Sequence, residues 1–112
     1  MDNIPGWLGE KESTRKFSGK QEKRLAKTFN GKLTSNSGAT FGQNDIESRE
    51  FSIESKITAK KSYSISVDEF EKLIKRTPNG KIPVEVITFD KANLDLAVIR
   101  LENLLELFRN QK

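Results

Sequence analysis

The sequence contains no cysteine and no histidine. Without thiols there is no disulfide framework, no thiolate nucleophile and no Cys-ligated zinc. Without imidazole there is no Ser-His-Asp or Cys-His catalysis and no histidine-based nuclease. Any acid, base or metal chemistry must therefore come from carboxylates and lysines, and oxygen donors favour magnesium or manganese over zinc or copper. Apolar residues are scarce as well, 34% of the chain against 32% charged, so much of the charge must lie in exposed loops and tails. No apolar run approaches the ~20 residues that span a bilayer, and the N-terminus lacks a signal-peptide core. These absences predict a soluble, cytoplasmic protein with no membrane partner.

What is present fits one domain, since 112 residues bury one modest core and not two. The net charge of +4 and pI near 9.4 point to an anionic partner. Met1 to Phe17 carries Pro5, Gly6, Gly9 and many charges without periodicity, and reads as a flexible arm; residues 18–112 form the domain. Trp7 in the arm either stacks on a partner or packs on the domain, and the second is the commoner fate of a lone aromatic.

Ser18 and Gln21 fit a capping box opening a helix to about Phe29, with Asn30-Gly31 as its stop. Its apolar stripe is Leu25, Ala26 and Phe29, and Glu22 lies three, four and seven positions before them, on the same stripe. A carboxylate directed inward needs a partner; it either snorkels to the rim, pairs with a lysine, or serves a site. Lys20, Lys23, Arg24 and Lys27 occupy much of the remaining helix surface. Lys32-Leu33-Thr34 reads as a short strand. The loop from Ser35 to Asn44 is rich in hydroxyls, amides and glycine, and serves either as a linker or as a backbone cradle for phosphate. It has no Walker-type glycine-lysine pattern.

Asp45 to Lys56 is the chemically densest stretch. Phe51, Ile53 and Ile57 alternate with Ser52, Glu54 and Lys56, the period of a half-buried strand. Phe51, Ile53 and Ile57 are expected to face the core, and Glu54 and Lys56 to share the other face. An acid and an amine side by side on a rigid strand, with a second acid from Asp45, can bind a divalent metal and orient a water. The bland alternative is a solvated strand face with a weak surface ion pair, which is what most Glu-x-Lys pairs are.

Thr58 to Tyr63 is a basic turn containing Lys60 and Lys61. Ser66 and Glu69 form a second capping box, starting a helix whose apolar face is Val67, Phe70, Leu73 and Ile74 and whose end is Thr77-Pro78-Asn79-Gly80. Ile82 to Phe89 is apolar at nearly every position and reads as a strand covered on both faces, with Pro83 tolerable near its start. Asp90 to Asn93 is a turn and Leu94 to Ile99 a strand. Leu101, Leu104, Leu105 and Phe108 form the stripe of a last helix. The order predicts an α/β domain with a small mixed central sheet flanked by helices.

Taken together, Glu22 on a helix, Ser37-Gly38-Ala39 in a loop, Asp45, and Glu54-Ser55-Lys56 on a strand resemble the PD-(D/E)xK nuclease superfamily. The resemblance is closest to archaeal-type Holliday junction resolvases and their small phage-encoded relatives, and it covers roughly Ser18 to Phe108. It implies a restriction-endonuclease-like fold, with Glu22, Asp45 and Glu54 around Mg²⁺ (or Mn²⁺), Lys56 beside the attacking water, and Ser37 near the scissile phosphate. Two positions depart from the pattern: Asn44 stands where proline or glycine is frequent, and Ser55 where cysteine or valine is common. Lys20, Lys23, Arg24, Lys27, Lys60 and Lys61 are candidate phosphate contacts, which give affinity without sequence preference. The expected substrate is branched or four-way junction DNA and the expected active form a homodimer, joined through the last helix or an exposed edge of Ile82 to Phe89. Three alternatives compete: a general repair or restriction nuclease, a non-catalytic DNA-binding module, and a protein-interaction domain docking through the leucine-rich last helix.

Overall fold

The computed structural model describes residues 19–34 and 43–110. The expectations for the N-terminal arm, for Ser18 as a helix cap and for Ser37 lie outside the described residues. A helix over residues 19–28 (α1) is followed by β1 (Lys32–Leu33), β2 (Ile46–Glu47), β3 (Phe51–Thr58), α2 (Val67–Arg76), β4 (Ile82–Phe89), a short 3-10 turn at Asp90–Ala92, β5 (Leu94–Val98) and α3 (Leu101–Arg109). The five strands form one mixed sheet in the order β1-β2-β3-β4-β5. Only β3 and β4 are parallel, and α2 supplies the crossover that a parallel pair requires.

Local chemistry sets the boundaries. α1 stops where Asn30 turns left-handed (φ 55) and the Gly31 amide closes back on the Ala26 carbonyl at 2.7 Å. Gly31 is required by crowding: a Cβ there would lie 2.7 Å from the Glu47 carbonyl oxygen of β2. α2 starts as its capping box predicts, with the Glu69 amide donating to Ser66 Oγ at 3.3 Å. It ends at Thr77, and Gly80 then takes a positive φ of 90 in the turn into β4.

Alternation divides the sheet into two faces. Ile53 of β3, Val84 and Val86 of β4 and Ile46 of β2 pack with Leu25 and Ala26 of α1 as the main core, with Phe29 and Phe51 edge-on at 5.6 Å. On the opposite face, a solvated β3 surface was the bland alternative. Instead it lies under α2, where Ser52, Pro83, Glu85 and Ile87 are buried alongside Leu73. Ile57, expected in the core, is only half-buried because it lies where β3 runs past the β2 pairing. Val67 is 74% exposed, so the apolar face of α2 begins in effect at Phe70.

The last helix differs most from its pattern. Its only buried residue is Asn103, while Leu101 and Phe108 are 68% and 71% exposed. Nor is Ile82 to Phe89 an edge strand, since β3 pairs along its whole length and β5 pairs with Glu85 to Phe89.

Candidate active site

β2 pairs with β3 only through Ile46↔Ile53 and Glu47↔Ser52. Beyond Ile53 the two strands part, and among the described residues no strand pairs with that edge of β3. Asp45 lies at that fork and covers the first exposed amide: Ser55 N–H donates to Asp45 Oδ2 at 2.9 Å. Asp45 thereby does locally what a longer β2 would have done, and it brings a carboxylate beside the segment that carries Glu54 and Lys56.

Glu54 and Lys56 share the α2 face of β3, as their spacing predicts, with Lys56 Nζ 3.4 Å from Glu54 Oε2. Arg76 of α2 approaches the other carboxylate oxygen, at 3.9 Å from Oε1. Burial pushes the Glu54 carboxyl above its usual range and the nearby Asp45 adds to this, against the opposing pull of Lys56 and Arg76. Burial would lower the Lys56 ammonium, but Glu54, helped by Tyr63 and Glu69, outweighs it and holds its pKa up. The balance favours the ammonium form of Lys56.

Glu22 projects from α1, on the other side of the sheet. It makes no ion pair among the described residues, so the lysine-pairing alternative is not the arrangement found. Its carboxyl is raised by burial first, then by Asp45 and Glu54. The acids at positions 22, 45 and 54 thus come from three separate elements and repel one another around the edge of β3 beyond Ile53. They do not yet converge: among the described residues no three acidic side chains are grouped to hold one metal ion. The reason is geometric, since Glu54 is drawn toward Lys56 and Arg76 under α2 while Glu22 approaches from the α1 side.

Several contributors escaped the sequence reading. Glu85 stands beside Glu54 in register on β4, is 6% exposed, and has its carboxyl raised by burial while Lys56 pulls it down. A glutamate inside a strand otherwise covered on both faces was the available signal. Glu54, Lys56, Lys72, Arg76 and Glu85 line one cleft of about 160 Å³. Asn44, noted only as a departure from the superfamily pattern, is completely buried. Its Nδ2 donates to Ser52 Oγ at 2.7 Å, and its Oδ1 accepts from Arg76 Nε at 3.1 Å. Ser52 in turn donates to Glu47, which accepts from Lys81, so a continuous polar network backs the cleft. Asn44 fixes the residue next to Asp45 and the guanidinium facing Glu54 at once.

Of the candidate phosphate contacts, Lys20, Lys23, Lys27, Lys60 and Lys61 are exposed. Arg24 is committed elsewhere, bound to Asp95 of β5 at 2.8 Å. Among the described residues no helix is long and apolar enough to cross a membrane. Comparison with protein-family models, with curated proteins and with solved structures finds no match to this chain.

Proposed function

We propose that this chain is a divalent-metal-dependent endodeoxyribonuclease of the PD-(D/E)xK type, acting on branched or four-way junction DNA as a homodimer. The observation that carries the reading is that Asp45 lies near enough to raise the carboxyls of both Glu22 and Glu54, which come from separate elements, with Lys56 3.4 Å from Glu54. Burial raises the carboxyls of Glu22 and Glu54 and Asp45 raises both further, a cost to the fold that a purely structural role does not offset. Such clustering of perturbed carboxyls favours a functional site.

The donor set is all oxygen and its members repel, which suits a hard divalent cation. Asp45 and Glu54 would hold Mg²⁺ or Mn²⁺ with Glu22 beside them, and the ion would activate water and neutralise phosphate charge. Asp45, already anchored by the Ser55 amide, keeps its other carboxylate oxygen for this role. Lys56 stays protonated and stabilises negative charge on the phosphate oxygens or orients the water. Arg76, fixed by Asn44, holds Glu54 in place at the rim of the cleft. Exposed lysines on α1 and after β3 give the phosphate contacts that bind without sequence preference.

A non-catalytic DNA-binding module is the second reading, favoured by the pairing of Glu54 with two cations. Cleavage assays with four-way junction, flap and linear duplex DNA, with Mg²⁺ and with EDTA, separate the two. The nuclease reading expects metal-dependent cutting that Glu54→Gln and Lys56→Ala abolish while DNA binding persists. Undiminished cutting by both variants, or binding with no cutting under any metal, would sink it.

A further inference from the structure

Beyond the cleft, on the same face of the sheet, a second and more apolar groove opens at the C-terminal ends of β3 and β4. It measures about 430 Å³, with Phe89, Leu94 and Leu96 as its apolar wall and Lys60, Lys61 and Lys91 among its lining residues. Register places these residues together: Phe89 pairs with Leu94 and Ile87 with Leu96, so both leucines stand on the face that carries Glu54, Lys56 and Glu85. Leu94 and Leu96 are 48% and 47% exposed, an unusual state for two leucines on one face of a strand. None of the three lysines has a carboxylate partner among the described residues.

We infer that this groove is a subsite for an unstacked nucleobase, with the phosphates on either side of that base held by Lys60, Lys61 and Lys91. This rests on the nucleic-acid reading above and extends it to a substrate feature. An apolar wall ringed by ammonium groups matches a ligand that alternates flat apolar rings with anions, which is what an unpaired strand presents. A second copy of this chain fits less well, since a symmetric contact would bring six lysines together. A base inside a duplex is stacked and paired and cannot enter, so the groove selects for unpaired nucleotides at a fork or branch. Glu85 and Phe89 are four residues apart on β4, about 13 Å at ~3.3 Å per residue. An unstacked strand spans that separation in a few nucleotides, so one strand can occupy the groove and the cleft together.

The test uses the full chain in EDTA, where cutting cannot intervene. Affinity is measured for three DNAs: a fork with unpaired arms, the same fork with abasic sites in those arms, and a blunt duplex. The wild-type protein should bind the base-bearing fork on the order of tenfold more tightly than the abasic one. Leu96→Ser, with Leu94→Ser as a second variant, should erase that difference at unchanged duplex affinity and unchanged melting. Lys91→Ala should weaken binding to all three and reduce the salt slope by about one. Equal affinity for the two forks, or a preference that survives in both leucine variants, would overturn the subsite while leaving the nuclease reading intact. A wild-type protein that binds none of the DNAs would overturn both. Loss of self-association in Leu96→Ser with the fork preference retained would reassign the groove to a protein contact.

Discussion

Asp45 Oδ2 accepts the amide of Ser55 at 2.9 Å, at the point where β2 stops covering β3. One side chain thus covers a strand amide and places a carboxylate near Glu54, and the two roles are separable. Asp45→Asn retains an oxygen for the Ser55 amide but loses the charge. It should melt close to wild type and cut no DNA. Asp45→Ala loses both and should also be destabilised, by about 1.5–3 kcal/mol, the range for a hydrogen bond to an ionised group. Thermal melting beside a junction-cleavage assay checks this. Equal destabilisation in the two variants would show that charge, not the hydrogen bond, supports the edge.

Glu22 gives a prediction of opposite sign for stability. Its carboxyl is raised above the ordinary value of 4.5 by burial and by the charges of Asp45 and Glu54. The folded state therefore binds a proton more tightly than the unfolded chain does, and ionised Glu22 opposes folding at neutral pH. This opposition is relieved as pH falls through the raised pKa. Glu22→Gln should raise the melting temperature at pH 7, lose that advantage as pH falls toward 4.5, and lower cleavage throughout. A melting temperature reduced at every pH, with activity per folded molecule intact, would make Glu22 a structural residue only.

The parts of this fold that were legible in the sequence are those decided by local chemistry. The Ser66 cap, the Asn30-Gly31 stop, the turn at Asp90 to Asn93 and the doubly covered β4 depend on neighbouring residues, and all appear as read. The grouping of Glu54 and Lys56 followed from alternation alone. Asn44 and Arg76 were not legible, because their meeting depends on α2 ending over the start of β3, a long-range fact. Glu85 was hidden by its apolar neighbours. The α3 stripe has the periodicity of a packed helix, yet it is Asn103 that is buried. Periodicity shows that a helix has an apolar face, not that its own chain covers it.

Arg24 ties α1 to the edge strand of the sheet. It was a candidate phosphate contact, but it bridges α1 to Asp95 at 2.8 Å, and Thr88 donates to the same carboxylate oxygen at 2.6 Å. The hydrogen bond from Arg24 is the main reason the Asp95 carboxyl is held below its ordinary value of 3.8. A depressed carboxylate stabilises the fold above the unfolded pKa and ceases to do so as pH falls through the folded one. Arg24→Ala should cost at most about 1 kcal/mol, since the pair is largely exposed and solvent-screened. That loss should disappear in strong acid, and the salt dependence of DNA binding should be unchanged. A salt slope reduced by about one, with stability unaltered, would return Arg24 to the phosphate contacts.

The proposed homodimer needs an apolar contact surface, and α3 offers one. β4 is enclosed in the sheet, so the apolar stripe of α3 is the remaining face of the two considered. Leu101, Leu104, Leu105 and Phe108 are 68%, 49%, 41% and 71% exposed, and contiguous apolar surface of this kind marks contact sites. Two-fold pairing along this helix is isologous and supplies two carboxylate clusters for two opposed strands of a junction. Leu104→Lys and Phe108→Asp should therefore yield folded monomers, because neither side chain is buried in the chain's own core. Each variant should still nick DNA but no longer make paired cuts in a four-way junction. Sedimentation at micromolar concentration and cleavage mapping on a fixed junction measure the two effects. A wild-type protein that is strictly monomeric and cuts linear duplex as readily as a junction would refute the resolvase assignment, leaving a general metal-dependent nuclease.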